Sequence, residues 1–220
     1  MAYGRHPLFL RLARSLRWGW IGWSAMRRIL ALILLALAVP ACALGSADTD
    51  LGYIPGSASQ WFPAERRQAA PATTGESLDG RPLALADYAG KPVVLNFWAS
   101  WCGPCAKEAP QLQAVSQSLG DRAQVLGVNI QDRIPNARTF ERDLGITYPS
   151  FYDPSVKIAA SFGGIAPQAL PTTLVLDAGH RVAVRHFGAI TGAQLHNYLE
   201  RVLGEQAQGE AGGGLERRAQ

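Results

Sequence analysis

Trp101-Cys102-Gly103-Pro104-Cys105 places two thiols three positions apart, a spacing that sets both sulfurs on one side of a helical turn. The near-continuous apolar run from Val93 to Trp98 before the motif reads as a central strand covered on both faces. After it, Ala109, Leu112, Val115 and Leu119 recur at helical spacing as far as Gly120, which predicts a helix over Cys102 to Leu119, kinked at Pro110. The cysteines therefore stand where a buried strand passes into a helix, a place with unpaired backbone N–H groups and the positive end of a helix dipole. A thiolate at Cys102 is stabilised there, below the free-thiol pKa of about 8.5, and a thiolate is the species that attacks a disulfide. Cys105, one turn further from the helix end, is less ionised and less accessible, which suits it to resolve the mixed disulfide that Cys102 would form. A structural zinc half-site and a pair of incidental core thiols are the plainer alternatives. Zinc takes about four ligands, whereas the remaining cysteine is Cys42, and His180, His186 and His196 show no ligand-like pairing near the motif.

The elements that position the motif follow from the same patterning. Leu83 to Leu85 predicts a short strand before the turn Ala89-Gly90-Lys91-Pro92, and Val125 to Ile130 predicts a second buried strand. Asn136 opens a helix running to Leu144-Gly145, so that strand, helix and strand imply a parallel pair. Ser155 to Phe162 reads as a shorter helix. Thr172 to Leu176 and Arg181 to Phe187 flank Asp177-Ala178-Gly179-His180, whose Asp and Gly suit a hairpin turn. Gln194 to Leu203 closes the fold as an amphipathic helix. The order predicts an α/β domain with a mixed sheet and helices on both faces. Phe97, Trp98 and Trp101 read as core or rim packing, with Trp101 also shielding the cysteines.

At 220 residues, 48% hydrophobic and 17% charged, the chain has material for one ordinary core. Its net charge of +4 is gathered at one end: Arg5, Arg11, Arg14, Arg17, Arg27 and Arg28 precede residue 42 with no acid among them, leaving 15 bases against 17 acids beyond. Nucleic-acid binding thereby loses its main support. The basic start leads into the uncharged run Ile29 to Val39, whose helix would measure about 16 Å, roughly half of a hydrocarbon core. That length marks an export signal in preference to a spanning helix. Met26-Arg27-Arg28 directly ahead of the run is a compact signal by itself, so Met26 is an alternative start. Val39-Pro40-Ala41-Cys42 resembles a bacterial lipobox, with Pro40 departing from the pattern. On that resemblance Cys42 is the lipid-attachment residue of a membrane lipoprotein facing the extracytoplasmic side. As an ordinary cleavage site the same segment gives a secreted protein, and either way the chain is exported. The expected organisation is a signal peptide over 1–41, a Pro-, Gly- and Ser-rich flexible tether over 42–71, a folded domain over 72–204 and a disordered tail over 205–220.

Val94-Leu95-Asn96-Phe97-Trp98-Ala99-Ser100-Trp101-Cys102-Gly103-Pro104-Cys105 resembles the thioredoxin superfamily. Lys107-Glu108-Ala109-Pro110 narrows the likeness to the membrane-tethered branch of TlpA-, ResA- and CcmG-type thiol-disulfide oxidoreductases, over about Gly75 to Leu203. The resemblance implies a thioredoxin-like fold with an N-terminal strand extension, here Leu78 to Tyr88, and a central insertion, here about Asp132 to Asp153. It places Asn96 where thioredoxin keeps a buried Asp, and Glu108 where ResA-like proteins carry a Glu three residues past the second cysteine. Glu108 would then handle the proton of Cys105, its pKa raised by burial; without the resemblance it reads as an exposed helix residue. Pro171, in Leu170-Pro171-Thr172-Thr173, matches the superfamily's cis-proline, which leaves nearby backbone groups free to pair with an extended substrate segment. The plain alternative is a trans proline at a strand start. Pro167, in the long loop from Gly163 to Gln168, is a second candidate. Trp101, Gly103, Pro104, Leu170 and Pro171 are the implied substrate-binding residues.

The resemblance also implies no cofactor and no metal, electrons being carried by a Cys102–Cys105 disulfide. Its partners would be protein thiols and disulfides, a membrane electron donor or acceptor, and the membrane surface itself, with the protein a monomer. Gly103-Pro104 is the thioredoxin dipeptide and leans toward a reductase of exported proteins; relatives of this kind reduce apocytochrome c before haem attachment. An oxidant of exported thiols, a peroxiredoxin-like antioxidant and a redox-silent binding module are the alternatives. Trp-Cys-Gly-Pro-Cys is not the Pro-X-X-X-Thr/Ser-X-X-Cys setting of a peroxidatic cysteine, and intact Cys102 and Cys105 argue against silence.

Overall fold

The computed structural model describes residues 58–218. Strands β1 (Ser59–Trp61), β4 (Val93–Trp98), β5 (Gln124–Ile130), β6 (Ser150–Asp153), β7 (Thr172–Leu176) and β8 (Val182–Phe187) form one sheet in the order β1-β8-β7-β4-β5-β6. The pairs β4–β5 and β5–β6 are parallel, and the other neighbours antiparallel. Strands β2 (Thr74–Glu76) and β3 (Pro82–Ala84) make a separate hairpin, β3 lying within the expected N-terminal extension from Leu78 to Tyr88 and β2 just before it. Among the described residues four α-helices accompany the sheet: α1 (Gly103–Leu119), α2 (Ile134–Asp143), α3 (Lys157–Ser161) and α4 (Gly192–Arg218). The expected mixed sheet with helices on both faces is thus present. Helix α1 runs unbroken through Pro110, and α2 starts two residues early because Pro135 fits its first turn.

Every residue of β4 is buried, as befits a strand with neighbours on both edges. Its side chains alternate: Val94 packs with Leu112 and Val115 of α1 and Leu195 and Leu199 of α4, whereas Val93, Leu95 and Phe97 meet Leu83, Leu85, Ala159 and Phe162 on the other face. Each fully buried Leu there contributes roughly 2 kcal/mol of apolar transfer. Gly127 of β5 lies beside Asn96, and a Cβ on it would fall 2.7 Å from Trp98 Nε1 and against Ser150 Oγ, so only glycine permits this approach.

Both expected boundaries of the domain need correction. The tether predicted over 42–71 is ordered from residue 58, since β1 pairs with β8 and Gln68 O and Ala70 N bond to Val182 N and His180 O. Arg67 explains why: its side chain, 3% exposed, binds Asp177 at 3.2 Å, Phe62 O at 3.0 Å and Glu205, and lies over Trp61. The tail predicted to be disordered from 205 instead prolongs α4 to Arg218, with Arg201 stacked 3.7 Å from the Trp61 ring. The signal peptide, Met26 and Cys42 lie outside the described residues. Among the described residues no helix is long and apolar enough to cross a membrane.

Candidate active site

The end of β4 delivers Ala99 into the core, and the chain then turns so that Cys102 caps α1 in an extended conformation, with Gly103 and Pro104 opening the first turn. Cys102 and Cys105 are joined by a disulfide. Cys102 Sγ also accepts a hydrogen bond from the Cys105 N–H at 3.2 Å, the contact that would hold a thiolate at this position. Cys102 is 5% and Cys105 1% exposed, so the sulfur nearer the helix end is the more accessible one. Trp98, Ala99, Leu78 and Ala137 pack around the pair.

Asp132, two residues past the end of β5, pins this turn. Its carboxylate accepts Ser100 N at 2.6 Å, Ser100 Oγ at 2.8 Å, Asn129 Nδ2 at 3.0 Å and Arg133 N at 2.8 Å. Burial alone would push its pKa up, but these hydrogen bonds outweigh it and hold the carboxyl below its ordinary value. Sequence reasoning missed this role; an Asp between a buried strand and a helix was the available signal.

Glu108, one turn past Cys105, is 1% exposed. Burial pushes its carboxyl up to about 7, against hydrogen bonds from Ile190 N–H and Asn96 Nδ2–H, both at 2.8 Å. Asn96 also donates to Thr173 Oγ1 at 3.1 Å. It belongs to a row running across the whole sheet at matched register, Ser150, Gly127, Asn96, Thr173, His186 and Ser59, which closes on Tyr198 OH at the far edge. A carboxyl with a pKa about 7, held by fixed donors, can take or return a proton near neutrality.

Trp101, 61% exposed, donates its indole N–H to Gln131 O at 3.0 Å. With Cys102, Gly103, Pro104, Val156 and Leu170 it lines a cleft of about 530 Å³ beside the disulfide. The peptide bond from Leu170 to Pro171 is cis; Pro167 has no such bond and stands on the cleft wall. The structure therefore brings Trp101, Gly103, Pro104 and Leu170 together at Cys102, with Pro171 next along the chain. A larger cavity of about 670 Å³ lies elsewhere, between the β2–β3 hairpin and α2, and contains neither cysteine.

A helix-capping cysteine disulfide-bonded to a deeper partner, on a mixed sheet of this order, defines a thiol-disulfide oxidoreductase of thioredoxin-like fold. Comparison with known proteins agrees. The family model described as AhpC/TSA matches residues 67–185, and the chain belongs to the AhpC/TSA family. It is 34% identical to the thiol-disulfide oxidoreductase ResA of Geobacillus thermodenitrificans over 128 residues, 57% of this chain and 71% of that protein. Among solved structures it resembles a DsbF homologue from Corynebacterium diphtheriae, with 39% identity and a TM-score of 0.64 over 68% of this chain and 96% of that one. A secreted thiol-disulfide isomerase from Corynebacterium glutamicum aligns with 33% identity and a TM-score of 0.64 over 69% and 95%.

Proposed function

We propose that the protein is a reductase of disulfides in exported proteins, working outside the cytoplasm at a membrane surface. The Cys102–Cys105 pair at the start of α1, with the more exposed sulfur nearer the helix end, is the observation that carries the exchange chemistry, and the intervening Gly103-Pro104 leans it toward reduction. In the reduced protein, Cys102 attacks one sulfur of a substrate disulfide; that S–S bond breaks, and the other substrate sulfur leaves as a thiolate. Glu108 then takes the Cys105 proton, Cys105 attacks Cys102 Sγ, and the remaining substrate sulfur leaves. Two electrons pass to the substrate, and the protein ends with the Cys102–Cys105 bond. A membrane electron donor restores the dithiol, no resident cofactor or metal being needed. The predicted signal and Cys42 support export and lipid anchoring, and the relative from Corynebacterium glutamicum, described as secreted, supports the compartment. The resemblance of the Trp101–Pro110 segment to the TlpA, ResA and CcmG branch makes apocytochrome c cysteines one candidate substrate.

Equilibration of residues 58–218 with glutathione or dithiothreitol gives the reduction potential that tests direction. A value near about −270 mV supports the reductase, and one near about −120 mV makes the protein an oxidant instead. A pair that never forms the disulfide in solution would leave a redox-silent binding module.

A further inference from the structure

Val156 occupies a conformation that its side chain resists. It caps α3 at φ 59 and ψ 22, in the left-handed region, where a β-branched residue crowds its own backbone. The turn does not ask for valine. Asp153 already satisfies the helix start, its carboxylate accepting Lys157 N at 2.8 Å and Ala159 N at 3.0 Å, and Val156 N bonds to Asp153 O at 3.1 Å. Glycine would make the same turn without the steric cost. Gln131, at φ 49, is a second left-handed residue, and its carbonyl holds the exposed Trp101 ring. Both line the cleft beside Cys102, so two of the three non-glycine residues with positive φ among those described face one site. Backbone strain concentrated at one cleft is characteristic of functional positions.

The cleft wall gives the strain a purpose. Trp101, Ile130, Val156 and Leu170 supply apolar surface, and apart from Cys102 none of the described residues lining the cleft is ionisable. A charged side chain entering it would lose water and find no oppositely charged partner. We propose that Val156 is a specificity-determining residue, held in place to present an apolar wall that selects substrate segments with an uncharged, apolar side chain next to their cysteine. This rests on the disulfide-exchange reading of the same site. Cys102 attacks the substrate cysteine's sulfur while the flanking side chain docks in the cleft lined by Val156 and Trp101.

The test uses two short peptides, identical except for Leu or Glu after a single cysteine, each in mixed disulfide with 5-thio-2-nitrobenzoate. Attack by Cys102 on the peptide sulfur releases the coloured thiolate, and Cys105 then frees the peptide thiol. The wild-type rate constant for the Leu peptide is expected about tenfold above that for the Glu peptide, and Val156→Gly and Val156→Asn each reduce the preference to about twofold. The loss appears in the half-saturating concentration of the Leu peptide. Val156→Asn suits the left-handed turn, so a lost preference there is not lost folding. Equal rates for both peptides in wild type, or a preference retained in both variants, overturns the assignment. Failure of wild type to release thiolate from either peptide instead overturns the oxidoreductase reading beneath it.

Discussion

Glu108→Gln preserves the size of the side chain and removes the buried carboxylate nearest in sequence to Cys105. With the carboxyl at about 7, about a tenth of it is ionised at pH 6 and about three quarters at pH 7.5. If it is the base that takes the Cys105 proton, the resolving step in wild type quickens about eightfold across that interval and then levels. The Gln variant is expected to resolve about 100-fold more slowly, with no inflection near 7. Ile190 N–H and Asn96 Nδ2–H each donate to a separate Glu108 oxygen, and an amide can accept both only at one, so a fold cost of about 1–3 kcal/mol accompanies the change. The assay is acid quench followed by mass spectrometry of the mixed disulfide between Cys102 and a model peptide, with Cys105→Ser as the fully trapped reference. A variant that clears this intermediate at the wild-type rate, with the wild-type pH profile, refutes the assignment of Glu108 as the base.

The same carboxyl makes stability depend on pH. The folded chain keeps the Glu108 proton between about 4.5 and 7 while the unfolded chain has lost it, so this stabilisation is whole below about 4.5 and falls by roughly 3 kcal/mol as pH rises through 7. Urea unfolding of the oxidised protein at pH 5 and pH 8, in wild type and Glu108→Gln, isolates that part from His186, whose burial-lowered pKa acts in the opposite sense. A wild-type pH dependence identical to that of the variant contradicts it. Arg67→Ala removes the cation that Asp177 and Glu205 share, leaving them Arg181 and Arg201, and should cost about 2 kcal/mol, with proteolysis appearing near β1 while thiol exchange is unaffected. A loss under about 1 kcal/mol shows that β1 does not depend on it.

Strands β4 and β5, helix α1 and the β7–β8 hairpin were legible because each carries its own period and its own turn residues. The motif at the β4–α1 junction was legible for the same reason, since spacing and context together specify the chemistry. Glu108 was legible through the family resemblance alone; periodicity leaves a glutamate at that position equally suited to solvent. Strand β1 was not legible, having three residues and no period of its own; its order comes from partners such as His186, 127 residues away. Nor could the chain of letters reveal that Val156 is left-handed, or that Arg67 joins Trp61, Asp177 and Glu205. The amino-acid sequence by itself determined where a reactive sulfur sits, because a cysteine's placement at a strand-to-helix junction is local. The tertiary structure alone decided how that sulfur's surroundings behave, because burial, register and the pKa of Glu108 come from residues that meet only once the sheet is assembled.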